Sequence, residues 1–292
     1  MRRQEKKTMS RYLDPKNDLI FKRIFGEHKE LCISLLNSLL PLKKPITSIE
    51  YRATELTPET KLLKNTSVDV QCIASDGSIF IVEMQMHWTQ HFQQRVLLNA
   101  SKAYVKQLKV GESFKFLHPV YSLNLVNEVY DKRTTDYYHH YKIVNVHNTE
   151  QQIKGLEFVF VELPKFKAAT RSHKKLQVLW LRFLTELNNG TDTVSDDFNK
   201  DKNLKAALEL AKRGNYDSDE LDMYDRVLDA IMTHRMFIED AEEKGEKKGK
   251  AKGREEERIE VVLNSHRVGI PIETIAQISG LTIDQVKGIL TQ

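Results

Sequence analysis

A strand that is apolar on both faces constrains the fold of this 292-residue chain more than any other feature. The segment SIFIVEMQM, residues 78–86, follows Asp76-Gly77, a pair typical of the tight turn in a β-hairpin. Side chains alternate between the faces of a strand, and apolar residues occupy both faces here. Such a strand lies inside a sheet that helices cover on both sides. The sequence therefore predicts a mixed α/β protein.

Apolar spacing and turn residues predict the remaining elements of the chain. Asp14, a favoured N-cap residue, precedes Pro15 and marks the start of the first of two helical segments. A third helix is predicted from about Thr89 to Gly111. Strands are predicted at residues 46–54, 66–75, 78–86, 120–126, 137–147 and 156–163, and helices near residues 171–188, 201–213 and 217–240.

Composition divides the chain into four parts. We expect a core at residues 14–165, a helical region at 166–238, a charged connector at 239–258 and a small helical module at 259–292. The connector is rich in Lys and Gly, has eight acids and seven bases, and lacks large apolar residues. It is therefore predicted to be either a solvated helix or a frayed segment.

Charge, apolar content and cysteine usage narrow the class of protein. With 45 basic and 41 acidic side chains the formal net charge is only +4, so any affinity for nucleic acid must come from local patches. No stretch approaches the roughly 18 to 20 apolar residues of a membrane span, and we expect no membrane association. The two cysteines, Cys32 and Cys72, fit a reducing compartment. We expect a soluble, cytoplasmic protein.

Three polar residues of the predicted hairpin are candidates for a functional site. Glu83 and Gln85 are two apart on one strand and face the same side, which Asp69 also reaches if the hairpin register allows. Glu83 has apolar neighbours, and burying a carboxylate without a partner costs of order 2–7 kcal/mol or more. A divalent cation shared with Asp69 would offset this cost. Two carboxylates and water suit Mg²⁺ or Mn²⁺.

The pattern of these residues resembles that of a known family. D-x13-E-x-Q on a β-hairpin between two helices is similar to the PD-(D/E)xK nuclease superfamily. More narrowly, the chain resembles the Rpn family of recombination-promoting nucleases, which are also described as transposases. The segments that carry this resemblance are DPKNDLIFKRIFGE (14–27), SVDVQCIASDGSIFIVEMQM (67–86), RVLLNASKAYVKQLKVGESF (95–114) and IAQISGL (275–281).

The resemblance implies both a fold and an activity. The implied fold is a restriction-endonuclease-like mixed sheet core, with element order αβββαβ, followed by a C-terminal helical extension. The implied activity is Mg²⁺- or Mn²⁺-dependent endonuclease cleavage of DNA, linked to recombination or mobile-element biology. Asp69 and Glu83 would be metal ligands and catalytic residues together with Gln85. The superfamily usually has Lys at the position of Gln85, and Gln can orient water but carries no positive charge.

Three further residues match family positions and are candidate accessory residues of the site. Asp18 in the first helix would add a third carboxylate, although the helix dipole also favours an acid in a first turn. Tyr104 and Gln107 lie on the predicted helix that follows the hairpin. Ordinary core and surface positions are the alternative for these two residues.

The helix after the hairpin also carries a basic stripe. Arg95, Asn99, Lys102 and Lys106 are spaced by four, three and four residues, so they share one helical face. Beside a metal site, Arg95, Lys102 and Lys106 are candidates for binding DNA phosphates, and a solvated helix face is the alternative. A second group of bases, within residues 165–175, is a candidate of the same kind.

The C-terminal module has the spacing of a helix-turn-helix unit. Ala276 is small where two helices would cross, Gly280 occupies the turn and Thr282 is placed to cap the second helix. That helix presents few bases, so a docking or oligomerisation module is the alternative to DNA binding. The sequence thus leaves open a homo-oligomer formed through the C-terminal helices.

Other interpretations of the site also stay open. A non-catalytic DNA-binding or assembly protein on a degenerate nuclease scaffold would accommodate Gln85 equally well. Nothing in the sequence distinguishes DNA from RNA as the substrate. A zinc site at His87 and His91 is a weaker interpretation, because the turn from strand to helix falls between them.

Overall fold

The structure is a computed structural model that describes residues 11–56, 65–168 and 175–291. The chain divides into two compact units, the first ending at Leu228 and the second beginning at Asp229. No helix among the described residues is both long and apolar enough to cross a membrane.

A six-stranded mixed sheet forms the centre of the first unit, beside a separate pair of short strands. The strands are β1 (Ile49–Tyr51), β2 (Glu55–Leu56), β3 (Thr66–Ser67), β4 (Val70–Ala74), β5 (Ile79–Gln85), β6 (Val120–Val126), β7 (Tyr138–Asn145) and β8 (Asn148–Glu162). The order in the large sheet is β1-β4-β5-β6-β8-β7, and β2 pairs with β3. Strands β5, β6 and β8 are parallel, whereas β4 and β5 form the predicted antiparallel hairpin. The doubly apolar strand, β5, therefore lies inside the sheet, as predicted.

Helices cover both faces of this sheet. The helices are α1 (Asp18–Gly26), α2 (Lys29–Leu39), α3 (Phe92–Val105), α4 (Lys175–Glu186), α5 (Lys202–Leu210), α6 (Ser218–Arg267), α7 (Ile272–Ser279) and α8 (Ile283–Leu290). Helices α1, α2, α4 and α5 share a core with one face of the sheet, and α3 packs on the other. This mixed sheet with C-terminal helices confirms the predicted fold class, an α/β protein with a restriction-endonuclease-like core.

The two faces of β5 explain why its candidate site residues point towards α3. Phe80 and Val82 are buried in the main core, whereas Ile79 and Ile81 pack against α3. Burying one such side chain contributes roughly 1.5–3 kcal/mol, so a register slip that exchanged the faces would be costly. The same alternation places Glu83 and Gln85 on the α3 side.

Two helix boundaries differ from those predicted. The first helix begins at Asp18 instead of Asp14, because the Asn17 side chain accepts a hydrogen bond from the backbone amide of Leu19 and caps the helix. Asp14 forms an ion pair of 2.8 Å with Lys16. Helix α3 ends at Val105, well before Gly111, which has a positive φ of 89° in the following turn.

The charged segment at residues 239–258 is part of α6, which also contains most of the helix predicted at 217–240. Oppositely charged residues four apart line this exposed segment, as in the pairs Glu243–Lys247 and Glu246–Lys250. Each such pair supports a helix by about 0.3–0.5 kcal/mol. This spacing favours the helical alternative over the frayed one.

The second unit contains the predicted pair of short helices. Val262 of α6 packs with Ile275 of α7 and Val286 of α8 in a small apolar cluster. Gly280 adopts a left-handed conformation with φ of 64°, which ends α7. Thr282 caps α8, as the sequence predicts. Whether this module binds DNA stays a prediction.

Candidate active site

Two carboxylates meet where β4 begins and β5 ends. Val70 pairs with Val82 in the antiparallel register, and continuing this register by one residue places Asp69 opposite Glu83. Directly opposed residues in an antiparallel pair share a face of the sheet. Asp69 Oδ2 also accepts a hydrogen bond of 2.7 Å from the backbone amide of Met84. The hairpin register thus brings Asp69 to the side of Glu83.

Glu83 is nearly inaccessible to solvent, with 5 % of its side chain exposed. Its Oε1 accepts a hydrogen bond of 2.9 Å from Asn99 Nδ2 on α3. Its Oε2 accepts a longer one, 3.3 Å, from Arg95 Nη2 on the same helix. Since 3.3 Å exceeds the usual range for such a bond, the charge of Glu83 is only partly compensated.

Both carboxyl groups are easier to protonate than ordinary ones. Burial raises the pKa of Asp69 to about 6; the Met84 amide opposes this shift, and the negative charges of Glu83 and Asp18 add to it. Burial likewise raises the pKa of Glu83, against the opposing effects of Asn99 and Arg95. The site therefore has less positive charge than two ionised carboxylates require.

Gln85 connects the strand to the guanidinium group of Arg95. Its Oε1 accepts a hydrogen bond of 2.6 Å from Arg95 Nη2, and its Nε2 donates to the backbone carbonyl of His87. Arg95 therefore contacts both Glu83 and Gln85 through one nitrogen. Its guanidinium carbon lies 4.9 Å from the ring centre of Phe92.

The donor atoms around these carboxylates fit a hard divalent cation. Asn99 Oδ1 is buried beside Glu83 and has no hydrogen-bond partner in the described part of the chain. Carboxylate and amide oxygens are ligands that Mg²⁺ accepts, with water completing its shell. Within residues 11–56, 65–168 and 175–291, no three His, Cys, Asp or Glu side chains gather as a metal-binding group. An ion held by Asp69 and Glu83 would therefore rely on amide oxygens and water for its other ligands.

Of the candidate accessory residues, Asp18 lies closest to this site. Its carboxylate pairs with Lys22 at 2.8 Å in the first turn of α1 and is about half exposed. Its charge still reaches Asp69, whose pKa it helps to raise. Asp18 thus acts on the site electrostatically without a hydrogen bond to either carboxylate.

Tyr104 and Gln107 lie at the opposite end of the sheet. Gln107 exchanges two hydrogen bonds with the backbone of His118, just before β6 begins. On β6, Asn124 lies beside Glu83. From His118 to Asn124 the chain rises by roughly 20 Å. Tyr104 lies against Gly155, near the start of the parallel part of β8. The structure does not bring these two residues to the carboxylates.

Of the three basic residues in the stripe on α3, Arg95 is the one that contacts Glu83. Lys102 donates hydrogen bonds to the hydroxyl of Thr66 at 3.0 Å and to the carbonyl of Leu56 at 3.4 Å, which connects α3 to the β2–β3 pair. Lys106 is exposed at the C-terminal end of the helix. At 1.5 Å per residue, Lys102 and Lys106 lie roughly 10 and 16 Å along the axis from Arg95.

Within the second basic group, Lys165 contacts an acidic residue of the sheet. Its Nζ lies 2.7 Å from Glu162 Oε1 and also donates to the carbonyl of Asp131. Arg171 and Lys174 lie outside the described residues. The ammonium group of Lys165 is thus held by contacts within the protein.

Two loops beside the site are joined by Glu128, a residue that was not among the predicted candidates. Glu128, after β6, lies 3.0 Å from His87 Nδ1 and accepts a hydrogen bond of 2.6 Å from the backbone amide of Trp88. Trp88 stacks on Tyr130 with ring centres 4.1 Å apart. The contacts of His87 with Glu128 give it a structural role in this loop pair. The sequence signal for Glu128 is a carboxylate just after the apolar strand β6.

A second buried carboxylate, Glu162, lies at the same edge of the sheet. It ends β8, in register with Val126 of β6 and Gln85 of β5. It accepts hydrogen bonds from the backbone amides of Tyr130 and Asp131, and contacts His139 and Lys165. The sequence signal for Glu162 is an acid near the end of the apolar run LEFVFVEL, followed by a Lys three residues later.

Comparison with known protein families finds a match over most of the chain. A family model described as PD-(D/E)XK nuclease family transposase matches residues 15–241, which contain all the catalytic and accessory candidates. No curated protein and no solved structure matches the chain.

Proposed function

Because this chain belongs to the PD-(D/E)XK nuclease family of transposases, we propose that it is a metal-dependent endonuclease that hydrolyses DNA phosphodiester bonds. The family implies nuclease activity, and the proposal assigns that activity to the edge of the sheet between β4 and β5. The observation that carries it is the pairing of Asp69 with Glu83 in a buried site, where both carboxyl pKa values are raised. The biological context that fits the family is recombination or the movement of mobile elements.

In this proposal Asp69 and Glu83 hold Mg²⁺ or Mn²⁺. When bound, the ion supplies a Lewis acid for the phosphoryl oxygen and lowers the pKa of water. The hydrogen bond from Asn99 fixes the orientation of Glu83, and that from the Met84 amide fixes Asp69. Such preorganisation keeps the carboxylates in place before substrate binds.

The DNA backbone is proposed to lie along the α3 side of the site. Arg95 contacts the site directly, and Lys102 and Lys106 continue the same helical face away from it. Because the formal net charge of the chain is only +4, such a local stripe is the means of attracting phosphates. We also propose a cytoplasmic location, in agreement with two free, buried cysteines at positions 32 and 72.

Nicking of supercoiled plasmid by the purified full chain tests the proposal. The reaction is run in Mg²⁺, in Mn²⁺ and in EDTA, with Asp69→Ala, Glu83→Ala and the matched control Glu246→Ala. Glu246 lies on the exposed part of α6. We expect metal-dependent nicking by the wild type and the control, and none by the two site variants.

Three outcomes contradict parts of the proposal. Nicking that persists in both site variants places the activity elsewhere or in a contaminant. If the wild type binds DNA in EDTA but never cuts in either metal, the protein is a non-catalytic DNA-binding or assembly protein, which the neutral Gln85 would permit. If an RNA competitor is cut in preference to DNA, the substrate assignment is wrong while the hydrolysis stands.

A further inference from the structure

The proposed reaction needs a positive charge at a place where β5 offers none. Hydrolysis of a phosphodiester develops negative charge on the phosphoryl oxygens, and fixed cations aimed at them stabilise the transition state. Gln85, two residues after Glu83 on the same face, is neutral and cannot provide this charge. The cation that touches the carboxylate site comes instead from α3, and it is Arg95.

The contacts of Arg95 show which residue holds it. Its Nη2 is 2.6 Å from Gln85 Oε1 but 3.3 Å from Glu83 Oε2, so the amide is the closer anchor. An amide oxygen accepts a hydrogen bond without neutralising the guanidinium, whereas a carboxylate at position 85 would pair with its charge. A neutral acceptor thus fixes Arg95 at the site, and the longer contact with Glu83 neutralises its charge only in part.

The remaining surface of the guanidinium is open to a ligand. The side chain of Arg95 is 46 % exposed, although it contacts a glutamate that is 5 % exposed. The group lies near the ring of Phe92 at 4.9 Å, which limits its rotation. Guanidinium has five N–H donors in a planar fork that matches two phosphate oxygens. Since Nη2 makes both contacts with the site, donors on the other nitrogens can reach a phosphate.

We propose that Arg95 contacts the phosphate that is cleaved and stabilises its developing charge, and that Gln85 positions Arg95 for this role. Gln85 on the strand and Arg95 on the helix would together take the role that a single lysine on the strand would otherwise have. This inference rests on the proposed nuclease function and deepens it by naming the catalytic cation.

Relocating the charge tests the inference directly. The variants are Arg95→Gln, Arg95→Lys, Gln85→Ala and the double variant Gln85→Lys with Arg95→Gln, which returns the cation to β5. The matched control is Arg235→Gln, which removes an exposed arginine paired with Glu239 on α6. Single-turnover nicking rates are measured with saturating protein, and thermal melting verifies that each variant is folded.

The expected rates follow from the roles assigned. Arg95→Gln lowers the single-turnover rate by about a hundredfold or more, the usual effect of losing one transition-state donor. Arg95→Lys keeps part of the rate because it keeps the charge without the fork. Gln85→Ala lowers the rate by roughly tenfold, since the cation is present but not fixed. The double variant recovers at least about tenfold over Arg95→Gln, and the control stays at the wild-type rate.

A binding measurement separates the phosphate contact from catalysis. In EDTA, the affinity for a short fluorescent DNA duplex is measured at several salt concentrations. Loss of one phosphate contact makes the slope of log K against log salt shallower by about 0.9. We expect this change in Arg95→Gln, its absence in Arg235→Gln, and recovery in the double variant.

The outcomes distinguish failure of the inference from failure of the function. If the wild type does not nick DNA, the proposed function fails and the inference falls with it. If the wild type nicks and folded Arg95→Gln keeps a rate within about threefold, only the inference is overturned. A double variant no faster than Arg95→Gln, or a salt slope unchanged by Arg95→Gln, also overturns it, because a purely structural arginine would behave in that way.

Discussion

Glu83 and Glu162 are both buried on the same side of the sheet and at the same edge, but their surroundings differ. Glu162 has no exposed side-chain surface and accepts from two backbone amides, in addition to contacting His139 and Lys165. Glu83 is almost as deeply buried yet has one amide donor at 2.9 Å and one guanidinium at 3.3 Å. One carboxylate is thus fully compensated by the protein, and the other is not.

This difference is the one expected between a structural carboxylate and a proposed metal ligand. The partners of Glu162 come from the segment between β6 and β7, from β7 itself and from the residues just after β8, so this side chain ties these segments together. The partners of Glu83 both come from α3, and its pKa remains raised despite them. A buried charge left short of partners is costly, and a cation is the ligand that would offset this cost.

The largest expected effect is on cleavage. Glu83→Gln keeps the shape of the side chain but removes the charge that would hold the metal, so nicking falls by at least roughly a thousandfold. Glu162→Gln leaves the rate per folded molecule within about threefold of the wild type. Plasmid nicking, corrected for the folded fraction, measures both. Equal losses in the two variants would erase the distinction between the two glutamates.

The free energy of unfolding should fall more in Glu162→Gln than in Glu83→Gln. Glu162→Gln leaves Lys165 and His139 without their carboxylate, and removing one partner from a buried ionic cluster costs about 3–5 kcal/mol of unfolding free energy. Glu83→Gln removes a charge that is poorly compensated, so its cost is much smaller. Urea unfolding in EDTA measures both. A Glu162→Gln protein as stable as the wild type would show that this cluster does not support the fold.

The pH dependence of the free energy of unfolding tests the raised pKa of Asp69, the second carboxylate of the site. Folding raises the pKa of Asp69 from 3.8 to about 6, so the folded state binds the proton more tightly than the unfolded state does. Stability of the metal-free wild type therefore falls as pH rises from about 4 to 6 and then stays low. Asp69→Asn should be more stable than the wild type at pH 8 by about 3 kcal/mol, with the difference vanishing near pH 4. Urea unfolding at pH 4, 6 and 8 in EDTA tests this. Parallel pH profiles for the two proteins would contradict it.

The smallest expected effect is that of the metal on stability. At about 10 mM Mg²⁺, binding with a dissociation constant near 1 mM raises the free energy of unfolding by about 1 kcal/mol. The increase should disappear in Glu83→Gln and persist in Glu162→Gln, measured as a shift in thermal melting. A shift that survives in Glu83→Gln would place the cation elsewhere.

Much of the fold could be predicted because its signals are local. The turn at Asp76-Gly77, the apolar run of β5 and the helical spacing after Thr89 each lie within a short window of sequence. The start of the first helix was predicted wrongly at Asp14, because Asp14 and Asn17 are both good caps. Asp14 pairs with the neighbouring Lys16 instead, and Asn17 caps the helix. Helix α3 was predicted too long for a related reason: Gly111 turns the chain several residues after the helix has ended.

The candidates Asp69, Glu83 and Gln85 could be identified from the sequence, because a hairpin links their positions through local register. How their charges are compensated depends on the tertiary structure. Arg95 reaches Gln85 because α3 packs across β5, and Glu162 meets His139 through the pairing of β7 with β8. Desolvation and ion pairing depend on what surrounds a group in space, and neighbours from distant parts of a chain leave no fixed spacing in its sequence.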